Sequence, residues 1–276
     1  MALRTARPTS LPVRFTRTAR LGLHVIEGVA TTLLVFPWIG LPRRRELVRR
    51  WSARMLRMLR VETRFHGVPA GGLPGNLLIV ANHISWLDIF VLNTLQPARF
   101  VAKAELRRWP VVGWLSKSAG TVFVERARRR HTGSVNRDTA AALRSGDVVA
   151  LFPEGTATDG MTMLPFKGSL LQPIVDAEGH VQPIAIRYRD ASGAQSVAPA
   201  YAGDTSFMAS FWNVTAERRL IAEMHLAPAL PASARHRAKR RQLLENPYGV
   251  DGYVVVVGFP TREVVLSFHR FSEATE

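Results

Sequence analysis

Apolar residues in this chain gather into short runs set apart by helix-length polar stretches, which is how buried strands joined by crossover helices read. Val61–His66 reads as a short strand, and Leu77–Ala81 (Leu-Leu-Ile-Val-Ala) has the length and branching of a buried one. Further strands are expected at residues 99–102, 121–124, 148–152 and 181–187. Asn82-His83 ends the second run, and Ser85 offers a cap for a helix through Trp86, Leu87 and Asp88. Another helix is expected to open at Pro110, and one over 136–144 to close at Gly146. The alternation predicts an α/β fold, a mainly parallel sheet flanked by helices. No internal repeat or low-complexity linker divides it, so residues 61–232 read as one domain.

Ahead of that domain the pattern changes. Residues 1–20 hold Pro8, Pro12 and five Arg and are expected to be mobile. Residues 21–41 are apolar apart from His24, Glu27 and two threonines, and 28–39 carry no charge. That uncharged core is shorter than the ~20 residues that cross a bilayer. Arginine flanks both ends, so the positive-inside rule assigns no direction. A helix lying in the membrane interface is expected, or one that dips in and returns at Pro37 or Pro42. Glu27 and the lack of a small-residue cleavage pattern argue against a signal peptide. Over 43–64, an apolar stripe (Leu47, Val48, Trp51, Met55, Leu56) alternates with arginines whose stems can cover apolar surface while their heads reach phosphates. Residues 21–60 are therefore read as a two-helix membrane-associated motif. A buried core helix and a solvated basic face are the plainer alternatives.

Charge sharpens this reading. The 276-residue chain has a net charge of +16, and residues 1–64 hold fourteen Arg against three acidic residues, +11 of that total. Such a block favours an anionic partner. The adjoining Leu-Leu-Val-Phe-Pro-Trp-Ile selects an anionic bilayer surface over nucleic acid. The absence of cysteine excludes disulfides, thiolate nucleophiles and cysteine-ligated zinc.

Four stretches fall at expected strand ends. A histidine where a buried strand stops and a helix begins, His83, sits at the rim of a sheet, where α/β proteins keep their crevices. Asp88 is near enough to orient its imidazole and stabilise the protonated form. Gly120 through Arg126 places Arg126 just beyond a strand, and so does Phe152-Pro-Glu-Gly-Thr-Ala-Thr158 for its loop. In Val181-Gln-Pro-Ile-Ala185, Pro183 suggests an edge strand or a strand start. Each has a plain explanation alone: a satisfied turn, a surface arginine, a Pro-Glu-Gly bend. Together they supply a base, its carboxylate, an anion-binding guanidinium and a Gly-containing loop with hydroxyls. Transfer of an acyl group to the hydroxyl of a phosphate-bearing acceptor needs that set.

On these motifs, in this order, the chain resembles the glycerolipid acyltransferase family, and within it the bacterial 1-acyl-glycerol-3-phosphate acyltransferases. The motifs are Asn82-His83-Ile-Ser-Trp-Leu-Asp88, Gly120 through Arg126, Phe152-Pro-Glu-Gly-Thr156 and Val181-Gln-Pro-Ile184. The likeness extends over about residues 43–230. It implies that His83 is general base on the acceptor hydroxyl, with Asp88 holding the imidazole. The hydroxyl would attack an acyl thioester of coenzyme A or acyl carrier protein, turning a lysophospholipid into phosphatidic acid with no acyl-enzyme. It implies further that Arg126, Glu154, Gly155 and Thr156 bind the glycerol phosphate, with Lys103 and Lys167 as additional phosphate or thioester-oxygen contacts. Arg126 suits phosphate through its bidentate fork; Glu154 would accept from a hydroxyl or brace Arg126. No cofactor beyond the thioester co-substrate and no metal is expected. The paired N-terminal helices would anchor the protein at the cytoplasmic face of the inner membrane.

Other readings stay open. A lyso-ornithine lipid is the alternative acceptor. A hydrolase could use Ser85, Ser169 or water, although no Gly-x-Ser-x-Gly elbow occurs. A non-catalytic lipid- or nucleic-acid-binding protein would leave the motifs unexplained. Residues 233–276 depart from the family pattern: a basic run is followed not by a terminal helix but by a hairpin pattern over 253–268.

Overall fold

All five residues of one strand, β2 (Leu77–Ala81), are buried, because helices cover both faces of the sheet it centres. The computed structural model describes residues 8–68, 72–124, 129–164, 166, 172–232, 242–243, 254–258 and 265–269. Helices α1 (Leu11–Leu34) and α2 (Leu41–Met58) come first, joined through a 3-10 turn at Phe36–Trp38. Then follow β1 (Val61–His66), β2, α3 (Asp88–Leu95), β3 (Arg99–Lys103), α4 (Val112–Ser118), β4 (Val122–Val124) and α5 (Arg129–Arg144). The domain continues through β5 (Val148–Leu151), α6 (Gln172–Asp176), β6 (His180–Arg189), α7 (Phe207–Ala216), β7 (Leu220–Leu226) and β8 (Leu230–Pro231).

The strand order is β1-β7-β6-β2-β5-β3-β4, with β8 paired to β6. Strands β2 to β6 run parallel, β7 is antiparallel to β6, and β1 is parallel to β7. The sheet is mixed but mostly parallel, as the alternation predicts. Leu77, Ile79 and Ala81 of β2 share a core with Met55 and Leu56 of α2 and Val91 and Leu92 of α3. Leu78 and Val80 face the other way, toward Leu143 of α5 and Ile174 of α6. Burial of each such side chain contributes about 1.5–3 kcal/mol, which is why a five-residue apolar run takes the middle of the sheet. Asp147, in the turn before β5, pairs with Arg45 of α2 and at 2.6 Å with Arg99 of β3.

Three local expectations are corrected. Pro183 lies in β6, between β2 and β7, not at an edge. On its outer side β8 ends opposite Val181 and β7 ends opposite Ile184, so Pro183 sits in the gap between them, where its missing N–H forfeits no ladder bond. The helix expected to open at Pro110 begins at Val112. Val112 N–H donates to Pro110 O at 2.6 Å across Val111, whose φ is 62°. Finally α1 starts at Leu11, so residues 11–20, expected to be mobile, are helical. The reason is tertiary: Thr9 N–H donates to Ala216 O at 2.8 Å, and Arg17 Nη1 donates to Thr215 O and Glu217 O. Arg14 lies 3.7 Å above the Trp212 ring. These carbonyls belong to the C-terminal end of α7, where cations are favoured.

Further along, α1 is fastened to α2. Trp51 Nε1 donates to His24 O at 3.0 Å, His24 Nε2 lies 3.0 Å from Trp51 O, and the two rings stack. A Cβ on Gly28 would stand 2.8 Å from Trp51 Nε1, so only glycine permits this approach. By length and composition, residues 11–38 could cross a membrane. Yet contacts to α7 and α2 pin them from Thr9 to Gly28, while Leu33, Leu34 and Trp38 beyond are exposed, Trp38 by 85%. Near the chain end, β10 (Val254–Gly258) and β11 (Val265–His269) pair antiparallel, with β9 (Gln242–Leu243) beside β10.

Beyond β2 the sheet is prolonged by a side chain. Buried Asn82 donates from Nδ2 to Ile186 O at 3.0 Å and accepts from Ile186 N–H at 2.7 Å, standing in for a strand backbone. Asn82→Ala leaves both Ile186 groups unpaired at about 1–3 kcal/mol each, so denaturant unfolding is expected to show a loss of about 2–5 kcal/mol. A loss below about 0.5 kcal/mol, the range of ordinary surface substitutions, would remove this structural role.

Candidate active site

Parallel strands β2, β5, β3 and β6 end at one rim, and the chain leaving β2 turns there around a carboxylate. Asp88 is fully buried. Its Oδ2 accepts from Ile84 N–H at 2.8 Å and Ser85 N–H at 2.9 Å and lies 2.8 Å from His83 Nδ1; its Oδ1 accepts from Tyr188 O–H at 2.7 Å. A buried carboxylate is tolerated only when so satisfied. Asp88 also opens α3, where the helix N-terminus favours negative charge. Ser85 plays a different part from the cap expected of it. The helix begins three residues later, and Ser85 Oγ accepts from Leu87 N–H at 3.2 Å in the preceding turn.

A carboxylate can only accept, so His83 Nδ1 carries the proton in the neutral ring, and Nε2 is left as the basic nitrogen. The His83 side chain is 21% exposed and its ring stacks on Phe152 at 4.2 Å. Its backbone is gripped from the loop after β5. His83 N–H donates to Glu154 Oε1 at 2.8 Å, and His83 O accepts from Thr158 N–H at 2.8 Å. Glu154 Oε2 accepts from Leu164 N–H at 2.9 Å, tying a third segment to the same carboxylate. Tyr201 N–H donates to Ile84 O at 2.9 Å. Gly155, at φ 80°, supplies the left-handed step that tucks Glu154 inward.

The electrostatics follow from burial. Desolvation pushes the Glu154 carboxyl above its ordinary range, against the two N–H bonds that pull it down. Burial, then the Asp88 charge, raises the Tyr188 phenol well above its usual value, so the hydroxyl stays a donor to Asp88.

Of the residues singled out from sequence, His83 and Asp88 meet as expected. Glu154 and Gly155 lie directly behind them. Glu154 is buried, and each of its oxygens accepts from a backbone N–H, Oε1 from His83 and Oε2 from Leu164. Thr156 is exposed on the same loop, and Lys103 is exposed at the end of β3, two strands from β2. Arg126 and Lys167 lie outside the described residues. Tyr188 and the role of Asn82 escape the sequence reading. A signal for Tyr188 existed: Ile184, Ile186 and Tyr188 alternate onto one buried face, and a buried tyrosine hydroxyl needs a partner.

A family model described as Acyltransferase matches residues 62–187, the span that contains His83, Asp88, Glu154 and Thr158, with Tyr188 next after it. The 1-acyl-sn-glycerol-3-phosphate acyltransferase of Neisseria gonorrhoeae is 39% identical over 154 residues, 56% of this chain and 60% of that protein. The chain thus spans about three fifths of that relative. The lyso-ornithine lipid O-acyltransferase of Pseudomonas aeruginosa is 36% identical over 201 residues, 72% of this chain and 75% of that protein. A crystal structure of a 1-acyl-sn-glycerophosphate acyltransferase from Thermotoga maritima superposes with a TM-score of 0.62 at 20% identity, covering 80% of this chain and 85% of that one, a likeness of fold. On the matched core and a relative covered over three quarters of its length, the chain belongs to the acyltransferase family.

Proposed function

We propose that the protein is a membrane-associated O-acyltransferase that moves a fatty acyl group from an acyl thioester to the free hydroxyl of 1-acyl-glycerol-3-phosphate, giving phosphatidic acid. The observation that carries this reading is the His83–Asp88 pair, with Nδ1 committed to a saturated buried carboxylate and Nε2 left basic. His83 Nε2 takes the acceptor's hydroxyl proton as its oxygen bonds to the thioester carbon. When the carbon–sulfur bond breaks, the imidazolium returns that proton to the departing thiolate. Asp88 steadies the imidazolium between these steps. Ser85 is fully buried, which disfavours it as a hydrolytic nucleophile. Arg126, Thr156, Lys103 and Lys167 are the proposed phosphate and thioester-oxygen contacts. Glu154 acts through His83, whose backbone it holds. The aromatic group of Trp86, Phe207, Phe211 and Trp109 near α3 and α7 offers apolar surface for acyl chains. Coenzyme A or acyl carrier protein would carry the acyl group, and α1 would lie along the cytoplasmic face of the inner membrane.

A lyso-ornithine lipid is the second acceptor reading, favoured by the 75% coverage of the Pseudomonas relative named for that reaction. Purified protein offered both lysolipids, with either thioester, is expected to yield phosphatidic acid by mass spectrometry. Product from the ornithine lipid alone would overturn the acceptor assignment and leave the mechanism standing. His83→Ala is expected to lower turnover by about 10²–10⁴-fold, the usual worth of a general base, with the fold unchanged by circular dichroism. Full turnover would refute the assigned base. Tyr188→Phe strips one donor from Asp88, and about 1.5–3 kcal/mol of stability should go with that charged hydrogen bond. Turnover should fall while the acceptor KM holds; a change confined to KM would contradict the positioning role.

A further inference from the structure

Between the first half of α1 and the last turns of α2 lies a cleft of 660 Å³ whose walls carry five guanidinium groups, those of Arg17, Arg20, Arg54, Arg57 and Arg60. Val13 and Met58 add apolar lining, and among the described residues no acidic side chain contributes to it. Its size falls within the range of small-ligand sites. Arg54 is paired with Glu27 at 2.8 Å and Arg17 is engaged by carbonyls of α7. Among the described residues, Arg20, Arg57 and Arg60 have no carboxylate partner. Arg60 adopts φ 61°, a left-handed conformation that is uncommon outside glycine, where α2 hands over to β1. Burial, then the like charge of Arg60, holds the Arg17 guanidinium below its ordinary range, so the cations here repel one another.

Like charges held together around an apolar-lined cleft call for an anion with an apolar body. The strand directions place this cleft at the His83 end of the sheet. Ile221 near the start of β7 pairs with Arg189 at the end of β6, and Val61, just after Arg60, pairs with Leu220. We infer that this cleft binds the phosphate headgroup of an anionic membrane lipid, its glycerol and first methylenes against Val13 and Met58. It is a discrete docking site, separate from the diffuse basic surface of the N-terminal helices. The inference does not rest on the acyl-transfer reading, since binding needs no turnover.

The test is calorimetric titration of the full chain, in neutral detergent, with soluble dihexanoylphosphatidylglycerol. The variants are Arg20→Ala/Arg57→Ala in the cleft and, as a charge-matched pair outside it, Arg43→Ala/Arg50→Ala. Binding at one site is expected, weakened about tenfold or more in the cleft pair and about threefold or less in the control. Equal weakening in both pairs would mean diffuse surface charge and overturn the site. Inorganic phosphate bound as tightly as the lipid would show that no amphiphile is recognised. Coenzyme A bound more tightly than the lipid, with the same cleft dependence, would reassign the arginines to the thioester carrier. No binding by any of the three probes would also overturn the inference.

Discussion

Four donors on one buried carboxylate hold this site together. Stripping water from Asp88 would be prohibitive without them. The imidazole of His83, two backbone N–H groups and the hydroxyl of Tyr188 replace that water. Meeting this demand fixes the path of residues 83–85, the start of α3 and the depth of β6. The outward imidazole is then the one member of the cluster with a nitrogen left over for chemistry. Glu154 repeats the logic one strand away: a second buried carboxylate is satisfied by the backbone of His83 and of Leu164, which ties the loops after β2 and β5 together.

The N-terminal helices obey a different constraint. One stretch of α1 finds polar partners on α7 and α2, and among the described residues the end of the helix and the turn after it find none there, leaving Leu33, Leu34 and Trp38 in the open. An apolar exposure of this kind on a soluble surface would drive association. Against a bilayer it is satisfied, with the pinned half of the helix kept on the protein.

Much of this was legible in the sequence, for physical reasons that differ by residue. Leu77–Ala81 declares itself because a run buried on both faces has no polar position to blur it. His83 and Asp88 are close in the chain, so their meeting needs only a local turn. Glu154 is also plain as a residue, but its direction depends on which way a Gly155 turn folds, and that is decided by Leu164 ten residues on. Pro183 reads as an edge because the gap between β7 and β8 is made by strands that arrive later in the chain. Arg14 and Arg17 read as part of a mobile tail because the carbonyls that order them belong to α7, some two hundred residues away.

The bond from Tyr188 to Asp88 spans 100 residues, and those from Asn82 to Ile186 span 104. While the protein is being synthesised, β2 and α3 emerge long before β6. Until β6 follows, the carboxylate lacks its fourth donor and the end of β2 lacks its partner. The histidine motif, though local in sequence, gains its full set of donors only when β6 joins the sheet. A chain broken off before residue 188 would therefore carry the motif in full yet lack the tyrosine that completes the carboxylate's set of donors.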